Sequence, residues 1–301
     1  MNPGAIELSN RILKISFPKG GPTIARLSVG DVIMANLNFC LDQRVGQSIG
    51  WPGLDRVKPD VLIGGPLRYK MRVKGEGLSW GAYETEEEIE IFAGQKWISR
   101  RLISLRSKAQ NPYFIAYYFL LLTPTQPGAE PLNGADWSAW KTANGLASCF
   151  TNSPGKFGFA FRLDSDGGAH GDVTRDVNLE MQKGKEAINE PQPVLFIALT
   201  KNQEETQAIK EKLSNPPQVS VVREGDNLTI TIKETAGIKR EKEPLVVSLG
   251  ELAKGWRYAR AFLGNKEIPS QLDGDELTLL LDLPANGEIE VKVKRASSPW
   301  N

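Results

Sequence analysis

The sequence predicts an all-β protein: a large β domain over residues 1–215 and a small β-sandwich over 216–301, the latter readable also as the closing strands of one single domain. Three observations point there. Gly and Pro number 29 and 19 in 301 residues, which suits many strands joined by turns. Apolar and polar residues alternate with a period of two along much of the chain, and one segment alone combines a helical period with a cap.

Arg11 to Phe17, Thr23 to Val29 and Val32 to Phe39 read as short strands, punctuated by Pro18-Lys19-Gly20-Gly21-Pro22 and Gly30-Asp31. Residues 45–66 hold five glycines and three prolines around Trp51 and read as a long loop. The clearest hairpin covers 83–92 and 96–106. Alternation puts Glu84, Glu86, Glu88 and Glu90 on one face, and a two-residue turn including Gly94 brings Trp97, Ser99 and Arg101 opposite them. Tyr113 to Leu122, apolar on both faces, reads as a central strand.

Phe157 to Leu163 and Pro193 to Thr200 read as strands on either side of a Gly/Asp-rich loop, Asp164 to Asp172. The helix follows: Asn202 caps, Glu205 sits three residues on, Ala208, Ile209 and Leu213 share a face, and Pro216-Pro217 ends it. Beyond that boundary come six short strands, Val219 to Arg223, Leu228 to Lys233, Leu245 to Leu249, Tyr258 to Leu263, Leu277 to Leu281 and Ile289 to Val293, enough for a small sandwich.

Composition excludes several functions. Lys+Arg is 37 against Asp+Glu 36, so no net field draws in a nucleic acid. The longest apolar stretch, near Tyr117 to Leu122, is far short of the roughly 20 residues of a membrane span. Met1-Asn2-Pro3-Gly4 lacks the basic and apolar run of a secretory signal. That fits a cytoplasmic protein if the chain is full length, and an extracellular or periplasmic one if a signal was removed. Cys40 and Cys149 are too few for a disulfide framework or a thiolate metal cage; two reduced thiols are the expected state and a single long-loop disulfide the alternative. Composition does not reach oligomeric state.

Gly46-Gln47-Ser48-Ile49-Gly50 matches the nucleophile-elbow pattern, but Trp51-Pro52-Gly53 follows where a helix is required, so the match reads as chance. His170 is the one histidine and must serve any His-dependent chemistry. Asp164, Asp166, Asp172 and Asp176 surround it, and an oxygen-rich loop over 164–176 could hold Ca²⁺, although the EF-hand spacing is not met. A solvated loop with a surface histidine is the plainer reading, and no metal or other cofactor is expected.

The ladder of Glu84, Glu86, Glu88 and Glu90 facing Arg101 reads first as cross-strand charge pairing, and second as a polar face gripping a sugar with Trp97 as an aromatic plane. Trp137, Trp140 and Lys141, read as loop residues, would extend that surface.

Leu8-Ser9-Asn10-Arg11-Ile12-Leu13-Lys14-Ile15, Gly20-Gly21-Pro22-Thr23-Ile24, the Trp97/Arg101 hairpin and Asn111-Pro112-Tyr113 together resemble galactose-mutarotase-like β-supersandwich domains, over residues 5–215. The resemblance implies a carbohydrate-active protein: a polysaccharide lyase, a glycoside hydrolase or a non-catalytic carbohydrate-binding module, with a protein-interaction sandwich as the alternative from another class. Aldose epimerases of this fold use two histidines, so their mechanism does not carry over to a chain with one. The expected ligand is a saccharide, with acidic sugars favoured by Arg100, Arg101 and Lys141. His170, Tyr83 and Glu88 are the candidate catalytic residues, and Trp97, Arg101, Trp137, Trp140 and Lys141 the candidate substrate-binding ones.

Overall fold

The computed structural model describes residues 5–18, 24–45, 48–50, 56–77, 83–107, 114–124, 128–133, 137–151, 158–163, 169–174, 179–181, 186–188 and 194–298. The first strands are β1 (Ala5–Ser9), β2 (Leu13–Pro18), β3 (Ile24–Val29), β4 (Val32–Val45), β5 (Ser48–Gly50), β6 (Arg56–Gly64), β7 (Arg68–Gly77), β8 (Tyr83–Phe92) and β9 (Trp97–Ser107). There follow β10 (Phe114–Pro124), β11 (Glu130–Asn133), β12 (Trp137–Thr142), β13 (Gly145–Thr151), β14 (Gly158–Leu163), β15 (Ala169–Thr174), β16 (Leu179–Met181), β17 (Glu186–Ile188) and β18 (Leu195–Thr200). Helix α1 (Gln203–Ser214) leads to β19 (Gln218–Glu224), β20 (Asn227–Lys233), β21 (Arg240–Ser248), β22 (Tyr258–Leu263), β23 (Lys266–Ile268), β24 (Ser270–Asp273), β25 (Glu276–Leu283) and β26 (Glu288–Ala296).

Contacts divide the chain into two units: Met1–Leu62, Lys70–Ile91 and Gln95–Lys210 form one, and Ile63–Tyr69, Phe92–Gly94 and Glu211–Asn301 the other. The first is built on two antiparallel sheets. One runs β1-β2-β3-β4-β10-β15-β14, with β5 on β4 and β16 on β10; the other runs β11-β12-β13-β18-β9-β8-β7-β6, with β17 on β9. The strand Phe114–Pro124 is paired on both sides, by β4 and β15, as its two apolar faces predicted.

Residues 45–66 are not one long loop. Ser48–Gly50 folds back on β4, with Val45 opposite Ser48, and Arg56–Gly64 is a full strand; the backbone hydrogen bonds of a Gly/Pro-rich stretch are here met by sheet pairing. Ser48 therefore stands on a hairpin strand, outside any strand-to-helix elbow. Trp51 lies outside the described residues.

β8 and β9 pair in the predicted register, Glu88 opposite Arg101 and Glu90 opposite Ser99, although the connection between the paired segments runs from Ala93 to Lys96. One side of β8 presents Thr85, Glu87, Ile89 and Ile91, all buried. Glu87 and Arg100 form an ion pair with 1% of either side chain exposed. On the same sheet face Cys149 is a buried free thiol; burial pushes its pKa well above the usual range, against the pull of Arg100.

Helix α1 begins as its sequence predicts: Glu205 N–H donates to Asn202 Oδ1 at 3.0 Å, and Glu205 Oε2 accepts from Lys201 N–H at 2.7 Å. Its anchor differs from the expected Ala208, Ile209 and Leu213 face, because Ala208 is exposed and Thr206 is the buried residue. Thr206 Oγ1 lies 2.6 Å from Thr200 Oγ1 and 3.0 Å from Ser148 Oγ. The helix thus docks on the sheet through a buried hydroxyl cluster, whose members satisfy one another.

The second unit carries a five-stranded sheet, β19-β20-β26-β22-β23, and a three-stranded one, β21-β25-β24. Their core includes Leu228, Ile230, Leu277, Leu279, Val291 and Val293, each with no exposed surface. All six predicted strands form, and β23 and β24 are added. Arg240, buried against Glu234 at 2.5 Å, donates to the carbonyls of Lys212 and Asn215 at the end of α1, where a cation offsets the negative helix terminus and fills orphan acceptors. A cavity of about 90 Å³ beside it is lined by residues that include Lys212, Pro216, Pro217, Glu243 and Leu281.

Two outcomes follow from these buried charges. Replacing Arg100 by Met leaves the Glu87 carboxylate buried without its countercharge and should cost roughly 3–5 kcal/mol in denaturant unfolding; Glu87→Leu in the same chain should recover most of that loss. Glu243 behaves oppositely. Burial raises its pKa above the usual 4.5, against the lowering by Lys212 and Arg240, so its stabilising contribution is complete below that value and declines as pH rises through the folded pKa. Glu243→Gln should therefore melt higher than wild type near neutral pH and match it at about pH 4.

Candidate functional site

The other side of β8 gathers charge. Extended alternation turns Glu84, Glu86, Glu88 and Glu90 away from Ile89 and Ile91, and all four are partly exposed. Neighbouring β7 obeys the same rule: Met71 and Val73 are buried at 0% and 2%, while Lys70 and Arg72 turn to the glutamates. Lys70 Nζ stands 2.8 Å from Glu88 Oε2, Arg72 Nη2 donates to Glu88 Oε1 at 2.9 Å, and Arg72 Nε is 2.9 Å from Glu86 Oε1. Arg101 lies opposite Glu88 on β9.

Glu88 is the centre of this cluster, with 14% of its side chain exposed. Desolvation alone would raise its pKa, but the hydrogen bonds from Lys70 and Arg72 outweigh it and hold the carboxyl below the usual value. The same pairing raises Arg72. Glu88 is consequently an ionised acceptor at neutral pH. A carboxyl held below its usual value suits accepting hydrogen bonds more than donating a proton.

The remaining predicted residues are dispersed. Trp97 is 5% exposed, packs edge-on against Phe196 at 5.5 Å, and Phe196 in turn stacks on Phe150 at 5.7 Å. Trp137 and Trp140, expected on a loop at the rim, lie on strand β12 and are buried at 6% and 0%. Three residues apart on a strand, they leave opposite faces, and both faces are covered there. These tryptophans are core, so none of the three offers an exposed stacking plane. Lys141 is exposed and sits 3.5 Å from Glu130 across the β11–β12 pair.

Tyr83 opens β8, opposite Ser107. His170 is on β15, opposite Arg162 on β14, in the other nine-stranded sheet. It is therefore a strand residue, where a loop was expected, and Asp172 shares that strand, opposite Ala160 and Leu121. Asp164, Asp166 and Asp176 of the candidate Ca²⁺ loop lie outside the described residues. Among the described residues no group of three or more His, Cys, Asp or Glu could hold a metal ion.

Lys70 and Arg72 are the site residues that the sequence reading missed. The signal was present: Tyr69-Lys70-Met71-Arg72-Val73-Lys74 alternates cation and apolar residue in strict period two, the complement of the glutamate ladder. What the geometry assembles is a half-buried row of carboxyl, guanidinium and ammonium groups on three adjacent strands, rich in hydrogen-bond donors and acceptors.

No protein family matches the chain, and no curated protein does. Solved structures are similar to it at low identity. An α-mannosidase from Enterococcus faecalis V583 shares 8% identity at a TM-score of 0.44, over 95% of this chain and 42% of that one. The α-N-acetylgalactosaminidase NagBb from Bifidobacterium bifidum, in complex with Gal-NHAc-DNJ, shares 10% at 0.42, over 69% and 38%. A heparan sulfate lyase HepC mutant from Pedobacter heparinus shares 9% at 0.39, over 77% and 41%. The chain spans about two fifths of the length of these structures.

Proposed function

We propose that this chain binds a saccharide on the charged face of β7, β8 and β9. The observation that carries the reading is Glu88, kept ionised and half-buried between Lys70 and Arg72 with Arg101 opposite. Such a group accepts hydroxyl hydrogen bonds, the neighbouring cations donate them, and a strand spacing of about 4.8 Å sets these rows at the breadth of a sugar ring. Binding is the role this arrangement serves directly, because a carboxylate held between two cations accepts hydrogen bonds without any further group.

A neutral saccharide fits better than an acidic one. Arg100, counted in favour of acidic sugars, is consumed by Glu87 inside the sheet, and Lys141 stands beside Glu130 on β11–β12. On the proposed face, Glu84, Glu86, Glu88 and Glu90 are met by Lys70, Arg72, Lys74 and Arg101, with Arg106 opposite Glu84, so the face offers no excess of positive charge to draw in a uronate.

The test is a thermal-shift and calorimetric panel of neutral and uronate-containing polysaccharides, with products assayed by reducing ends and by absorbance at 235 nm. A neutral glycan at about 100 times its Kd should stabilise the chain by about 2.7 kcal/mol without products. Glu88→Gln should weaken that binding at least tenfold while leaving the unfolding transition cooperative. Unchanged affinity in that variant, or silence across the panel, would remove this face as the binding site.

A further inference from the structure

We infer that strand β19 is a self-pairing edge through which two copies of this chain associate. Among the described residues β19 closes one side of the five-stranded sheet and pairs only with β20. Six of its seven residues are exposed and Val221 is half-buried; Val219 and Val222 are 37% and 56% exposed. It carries none of the devices that blunt an edge strand by shape: there is no proline within it and its register with β20 is regular from Gln218 to Glu224.

Which backbone groups it offers follows from its hairpin. Glu224 and Asn227 flank the two-residue turn Gly225-Asp226, with Gly225 at φ 63° in the first central position, so the 224/227 pair is hydrogen-bonded and the even-numbered residues of β19 face β20. Val219, Val221 and Arg223 then point their N–H and C=O groups outward. An antiparallel second copy with the two-fold axis at Val221 pairs Val221 with its own counterpart and Val219 with Arg223 in both directions. That register uses every outward group of both strands, about six hydrogen bonds.

The side chains agree with the same register. Gln218 meets Glu224, whose carboxylate already accepts from Thr229 at 2.9 Å and can accept again from an amide. Ser220 meets Val222 on the solvent face, covering the most exposed valine of the strand, and the aliphatic part of Arg223 lies along Val219. No like charges are placed opposite one another, and the chain's net charge of +1 gives two copies little reason to repel. An isologous contact of this kind closes at a dimer. Strand pairing alone is a small interface, so a weak dimer is expected.

Sedimentation equilibrium of the full chain over a wide concentration range tests this. Wild type should pass from monomer to dimer, and Val219→Pro, which deletes an outward N–H and spares the β20 ladder, should weaken association at least tenfold with an unchanged melting curve. A wild type that stays monomeric at several hundred micromolar overturns the proposal, as does a dimer that Val219→Pro does not weaken. Should that variant melt early, Ser220→Cys with Val222→Cys decides: the predicted register cross-links each chain to its partner under oxidation, and a cross-link yield no higher than wild type, which retains Cys40 and Cys149, overturns it.

Discussion

The pleat of β8 and β9 decides where the charge in this sheet goes. Glu87 and Glu88 are consecutive, as are Arg100 and Arg101, and consecutive side chains on a strand leave opposite faces. One register therefore creates two different electrostatic environments: Glu87 with Arg100 inside, at 1% exposure each, and Glu88 with Lys70, Arg72 and Arg101 on the half-open face. The register irregularity between Glu86 and Glu87 falls on the β9 side, where Ile103 is the extra residue, so the alternation of β8 runs unbroken from Glu84 to Ile91.

A slip of one residue would exchange the two faces. It would bring Ile89, Ile91 and Ile98 toward water and carry lone carboxylates inward, each costing several kcal/mol without a countercharge. The buried ion pair need not add net stability to exert this control, because replacing both partners by apolar groups is often neutral or better. What it penalises is any pairing in which only one partner is inside. The candidate site inherits its geometry from that constraint, since Glu88 and Arg101 are opposed only in the register that joins Glu87 to Arg100.

Much of this was legible in the sequence where the determinants are local. The β8–β9 register followed from alternation and the Gly94 turn, α1 from its Asn202 and Glu205 cap, and the second unit's strands from short alternating runs between Gly and Asn turns. Distant partners were not legible. Arg56–Gly64 became a strand because a pairing partner exists for it, and Trp137 and Trp140 became core because both faces of β12 are covered. The second unit is the plainest case: Gln271 accepts from the N–H groups of Leu67 and Arg68 at 2.8 and 3.0 Å, and Arg68 pairs with Glu276 at 2.7 Å. These contacts span more than 200 residues, and no local pattern around residues 63–69 announces them.

Four of the charge clusters among the described residues use similar residues and differ in what solvent can reach. Glu87–Arg100 and Glu234–Arg240 are sealed, and the second is further committed to the end of α1. Lys96–Glu205, at 2.5 Å and about a third exposed, is bound up with the helix start, because Glu205 also accepts from Lys201 N–H. A ligand that took the place of Lys96 would compete at a carboxylate that also holds the helix start. Around Glu88 the partners belong to the two flanking strands, β7 and β9, whose ladders are complete without them, so their side chains can exchange one acceptor for another while the backbone stays fixed. Partial exposure, ionised groups and a scaffold indifferent to their pairing are the conditions under which a hydroxyl-rich ligand can compete with an internal ion pair, and of the four clusters this one meets all three.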